Sequence, residues 1–184
     1  MAERRPFSLR ALAVGWLAQR EYSIDEMRRK LLRRLQSRAA ALARDGATTD
    51  AVERTSVRND GSASDQREVD DVISWLLASG YLDEARFVAS RVHVRAAGHG
   101  LARISSELSR HGVAMPADTA RELRDSEFDR ALAIWQRRFG EPAADARGAA
   151  RQARFLAGRG FSAEVVGRIL RAARLEGQSR DGGC

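Results

Sequence analysis

Apolar residues return along this chain at helical intervals. From Ser8 they fall at Leu9, Leu12, Ala13, Trp16 and Leu17, the i, i+3, i+4, i+7, i+8 stripe of an amphipathic helix with Ser8 as its N-cap. A second helix opens at Ser23, with Glu26 three residues on as in a capping box, and buries Ile24, Met27, Leu31 and Leu35. Val69, Val72, Ile73, Leu76 and Leu77 mark a third, which stops at Gly80, a residue suited to the left-handed turn after a helix. Asp83 caps a fourth, over about 84–97; Leu101, Ile104 and Leu108 mark a fifth; Pro116 starts a sixth. Phe128, Ala131, Leu132 and Trp135 give a seventh, an Ala-rich run over about 143–157 an eighth, and Ser162 caps a ninth with Val165, Val166, Ile169, Leu170 and Ala173 inward. All three tryptophans, Trp16, Trp75 and Trp135, lie on apolar stripes and read as core anchors.

Self-comparison groups these helices. The segment Trp16–Ser23 recurs as Phe155–Ser162, with Leu17, Ala18, Arg20 and Ser23 matched by Leu156, Ala157, Arg159 and Ser162. A weaker middle copy sets His99-Gly100 opposite Tyr22-Ser23, followed by Ile104 and Leu108 in phase with Met27 and Leu31. The prediction is an all-α fold of about nine helices: three copies of a helix, capped turn and helix unit, stacked in tandem into an elongated, curved array, because such units cannot each bury their apolar face alone. The expected division is 8–79, 80–125 and 126–175. Between the second and third helices, 37–67 reads as a disordered insertion rich in turn residues such as Asn59-Asp60-Gly61-Ser62, and 176–184 as a disordered tail.

Composition supports helices over strands. Of 32 basic residues all but Lys30 are Arg, Ala is abundant, and aromatics are 6% of the chain. The net charge of +7 is unevenly spread: residues 1–44 carry 11 basic and 4 acidic groups, 45–85 carry 3 and 10, and 86–184 carry 18 and 11. Two basic blocks flank an acidic one, the footprint of a protein that meets a polyanion or an acidic surface.

Catalytic patterns are missing from the sequence. The sole lysine sits in an Arg-rich helix with no glycine-rich phosphate loop, and His93, His99 and His111 lack partners at metal-ligand spacing. The acidic pairs Asp70-Asp71 and Asp83-Glu84 are expected in first helical turns, where they complement the macrodipole. A single Cys, Cys184, excludes a disulfide framework and points to a reducing cytoplasm. The longest nearly apolar stretch, 11–18, falls far short of the roughly 20 residues a membrane span needs, and no signal pattern opens the chain. The expectation is a cytoplasmic protein without enzyme activity, cofactor, metal or membrane.

One stretch carries a family pattern. Gly80-Tyr81-Leu82-Asp83-Glu84-Ala85-Arg86-Phe87, with Arg20-Glu21-Tyr22-Ser23 before it and Arg159-Gly160-Phe161-Ser162 after, resembles the signature of the RecX family of RecA regulators. The resemblance spans about 8–173, broken by the insertion, and the middle repeat departs from the family in having His99-Gly100-Leu101 where a tyrosine-glycine pair is more usual. It implies three three-helix units and a non-enzymatic protein, monomeric by expectation, that binds along the groove of the RecA filament on single-stranded DNA. There it would dampen ATP hydrolysis, strand exchange and coprotease activity.

Helical phase nominates the contacts. At about 100° per residue, the second helix presents Arg29, Lys30 and Arg33 opposite its buried stripe, with Arg28 and Arg34 at the flanks. The ninth presents Arg168, Arg171 and Arg174; Arg91, Arg95, Arg103 and Arg110 on the fourth and fifth helices would continue a basic track. Guanidinium forks bind phosphate or carboxylate oxygens alike, so the chain alone leaves RecA surface and single- or double-stranded DNA both open as targets. The alternative reading is a general nucleic-acid-binding helical protein without recombinase specificity.

Overall fold

The structure, a computed structural model, describes residues 8–45 and 54–181. Among the described residues there are nine helices and no strand: α1 Leu9–Leu17, α2 Ile24–Asp45, α3 Arg54–Ala78, α4 Glu84–Ala96, α5 Leu101–Arg110, α6 Ala117–Asp125, α7 Glu127–Arg138, α8 Ala146–Gly158 and α9 Ala163–Asp181. The expected caps form. Ser8 accepts from the Ala11 N–H, Ser23 from Glu26, Asp83 from Ala85 and Arg86, and Ser162 from Val165, each satisfying donors that have no intrahelical acceptor.

The 37–67 segment differs from its expected loop form. Helix α2 runs on through the Ala- and Arg-rich stretch to Asp45, and α3 begins at Arg54; 46–53 lie outside the described residues. Strong helix formers extend α2, and α3 grows backward from a packed C-terminal half, since propagation costs less than nucleation. Asp70-Asp71 therefore sit deep inside α3 and not in its first turn. Likewise α9 continues to Asp181 across most of the expected tail; Cys184 lies outside the described residues.

The chain divides into two compact units, Met1–Phe87 and Val88–Cys184, where three repeats are expected. In the first, α1 packs on α2 and α3, and α2 lies along α3. Its core joins Leu9, Ala13, Tyr22, Met27, Leu31, Leu35, Val69, Val72, Ile73, Leu76 and Leu82. Met27, Leu31, Val69 and Leu76 have no exposed surface, and each such side chain contributes about 1.5–3 kcal/mol by leaving water. Leu77, placed on the α3 stripe by periodicity, is instead exposed. The GYLDEARF segment is a built turn: Gly80 takes a positive φ of 69°, Leu82 and Phe87 are buried, and Asp83 caps α4. Arg86 ties the turn down by donating to the Gly80 and Tyr81 carbonyls and to Glu21. Its two buried apolar residues and its capping carboxylate explain the pattern without any catalytic role.

In the second unit, α7, α8 and α9 enclose Ala131, Ile134, Trp135, Leu156, Phe161, Val165, Val166, Ile169 and Ala173, while α6 packs on α5 and α7. The Trp135 indole donates to Gln152, which is itself buried. Direct backbone contact links the segments of the second and third expected repeats here. Gly100 N–H donates to the Arg159 carbonyl (2.9 Å) and Ala102 N–H to that of Gly160 (3.3 Å). A Cβ on Gly100 would overlap the Gly160 carbonyl, so this crossing needs a glycine at that position. Glu127, buried at the start of α7, accepts from the Leu101 N–H. Arg130 completes the junction by donating to the carbonyls of Ala96, His99 and Leu123. Burial pulls its guanidinium below the ordinary arginine value, with Glu127 opposing.

Candidate functional site

A concavity of the first unit, about 830 Å³, runs along the outer side of α2. Trp16 from the end of α1, Arg20 and Tyr22 from the capped turn, and Arg29, Lys30, Arg33 and Arg34 from α2 line it. Local sequence dictates this arrangement. Leu31 and Leu35 fix the buried phase of α2, which turns Arg29 and Arg33 outward one helical turn apart, about 6 Å along the axis.

Cations and aromatic rings interlock at the head of the groove. The Lys30 ammonium lies 4.2 Å from the Trp16 ring centroid and 4.7 Å from that of Tyr22, and donates to the Tyr22 hydroxyl at 2.8 Å. Arg20 stacks on Tyr22 at 3.7 Å and pairs with Glu26; the bond to Glu26 raises the Arg20 pKa above its ordinary value, against the opposing effect of burial. Such seats hold a cation in place without neutralising it. The Nε groups of Arg29 and Arg33 donate to the carbonyls of Asp25 and Arg29, which orients both guanidinium forks along the helix. Among the described residues, Arg29, Lys30, Arg33 and Arg34 make no ion pair with a carboxylate.

Not all the arginines nominated by helical phase share that state. Arg28 is bound to Asp70 of α3, and Arg91 and Arg95 both reach Glu107 of α5, Arg95 at 2.9 Å. Those three are engaged in holding helices together. Arg103 and Arg110 stand exposed on α5, and Arg171 and Arg174 on α9. Arg168 covers the Phe128 ring at 4.6 Å and lines a separate concavity of the second unit, beside Glu164 and Arg124. The gathered set is thus Arg29, Lys30, Arg33 and Arg34.

Sequence reasoning missed the aromatic part of the site. Trp16 was legible as an apolar stripe member and Tyr22 as the aromatic ahead of the Ser23 cap, and the eight-residue spacing of Tyr22 to Lys30 was the available signal. It also missed Arg147, Arg151 and Arg154, which follow an i, i+4, i+7 rhythm on the exposed side of α8 and border a 360 Å³ hollow with Asp145. Among the described residues no group of three or more His, Cys, Asp or Glu side chains gathers to hold a metal ion. The chemistry on offer is anion binding. The cations seated on Trp16 and Tyr22 occupy the ring faces a nucleobase would need, so the groove suits phosphate or carboxylate oxygens better than stacked bases.

Comparison with known proteins agrees with this architecture. The family model described as "RecX, third three-helix domain" matches residues 125–170, from the end of α6 into α9. The protein called regulatory protein RecX in Leptothrix cholodnii is 42% identical over 181 residues, covering 96% of each chain. Those of the same name in Ralstonia nicotianae and Ralstonia pickettii are 37% and 36% identical over 172 residues, covering 92% of this chain and 91% of theirs.

Proposed function

The chain belongs to the RecX family, and from that premise we propose that it is a non-enzymatic regulator that binds the RecA filament on single-stranded DNA and restrains it. The observation that carries the reading is the α2 groove: three cations, Arg29, Lys30 and Arg33, held in defined positions with no carboxylate partner among the described residues. A filament presents phosphate and acidic side chains in a regular array, and a ligand fixed to that array opposes the subunit movements that accompany ATP turnover. Binding alone then lowers ATPase, strand-exchange and coprotease activities.

The experiment is a titration of RecA's DNA-dependent ATPase with purified full-length protein. Near-stoichiometric amounts are expected to lower the rate, and the Arg29→Gln, Lys30→Gln, Arg33→Gln triple variant to require about tenfold more protein for the same effect. An unchanged rate at saturating protein contradicts the reading. Inhibition that vanishes when DNA is in excess over RecA supports instead a general nucleic-acid binder that acts by sequestering the strand.

A further inference from the structure

Another, smaller concavity lies wholly within the second unit and takes no part in the function above. It has a volume of about 190 Å³ and is lined by Ala97 after α4, Ile134, Arg137 and Arg138 of α7, Phe155 of α8 and Arg159 after it. Its size is decisive, because small-molecule sites begin at roughly 300 Å³. A space of this volume accepts one apolar side chain.

Its rim is cationic. Arg159 is fixed by donating to the Gly98 carbonyl (3.1 Å) and by lying 4.6 Å over the Phe155 ring. Arg138 sits 5.9 Å from the Phe139 ring, whose edge meets Phe155. Among the described residues none of Arg137, Arg138 and Arg159 makes an ion pair with a carboxylate. An apolar pit ringed by three such guanidinium groups is complementary to a peptide that offers one aliphatic or aromatic side chain flanked by carboxylates. A nucleic-acid strand fits poorly: Arg159 covers the Phe155 face where a base would stack, and a phosphate backbone brings nothing apolar for the pit.

We propose that this pocket is a docking site for an acidic peptide segment of a protein partner, with an apolar side chain seated on Ile134 and Phe155 and its flanking carboxylates forked by Arg137, Arg138 and Arg159. The site is independent of the RecA reading.

The test uses the full-length protein and short fluorescein-labelled peptides, each with one Leu, Ile, Met or Phe between runs of Asp and Glu, read by anisotropy. At least one peptide binds, and binding weakens about tenfold when its acids become Asn and Gln, and again when its apolar residue becomes Ser. The exposed Arg137→Glu, Arg138→Glu double variant, its helicity checked by circular dichroism, loses the same affinity, whereas the α2 triple variant keeps it. Amide shifts on peptide addition fall at Ala97 and Gly98. The proposal is overturned by no binding across the set, by indifference to the apolar residue, by an unchanged affinity in the double variant, or by an oligothymidylate that moves the same amide signals.

Discussion

At Arg130 one guanidinium answers three backbone carbonyls at distances of 2.6 to 2.8 Å, one at the end of α4, one in the turn that follows it and one near the end of α6. Replacing it with alanine leaves those carbonyls without their charged donor, and the expected loss is about 2–4 kcal/mol of unfolding free energy in urea; an unchanged midpoint would refute the role. Glycines separate in the same manner. Gly100→Ala drives a methyl into the Gly160 backbone and costs about 1–3 kcal/mol. Gly15, exposed within α1 with nothing within 4 Å of an added Cβ, gains about 0.5–1 kcal/mol as alanine. Of these only the Gly15 effect is legible in the sequence, because it is local. The partners of Arg130 lie up to 34 residues away, and Arg28 meets Asp70 across 42. Helical phase told which arginines leave the core, while which of them meet an acid was decided by the packing of other helices.

Element by element, legibility followed the local signals. The caps at Ser8, Ser23, Asp83 and Ser162 and the apolar stripes located α1, α2, α4 and α9 because a capping oxygen and its N–H are three residues apart at most. Helix α3 was harder: its N-terminal half carries Asn59-Asp60-Gly61-Ser62, turn chemistry that continuation from a packed C-terminal half overrides. On α2 the candidate site rests on charge that stays unneutralised. If its cations meet phosphate, the Arg29, Lys30, Arg33 triple glutamine variant lowers the log–log salt slope of single-stranded DNA binding by about 2. Replacing Arg91 and Arg95 with glutamine, by contrast, frees Glu107 and is expected to reduce stability more than binding, as urea unfolding and DNA anisotropy on one preparation would reveal. Equal loss of affinity from both sets would contradict the distinction drawn between paired and unpaired arginines.

For the whole molecule, the family assignment rests on relatives that cover nearly all of the chain, and the GYLDEARF turn makes physical sense of the motif that carried it. The two-unit division was not legible, since the Gly100–Gly160 crossing joins segments that self-comparison had assigned to separate repeats. The proposed function, at this scale, requires preference for a protein-coated strand over a bare one. The most direct measurement compares, at one fixed salt concentration, the affinity of the full-length protein for single-stranded DNA alone and for the same strand covered by RecA. Tighter binding to the coated strand, diminished in the α2 triple variant, is the expected result; equal or weaker binding to the coated strand would contradict recognition of the filament.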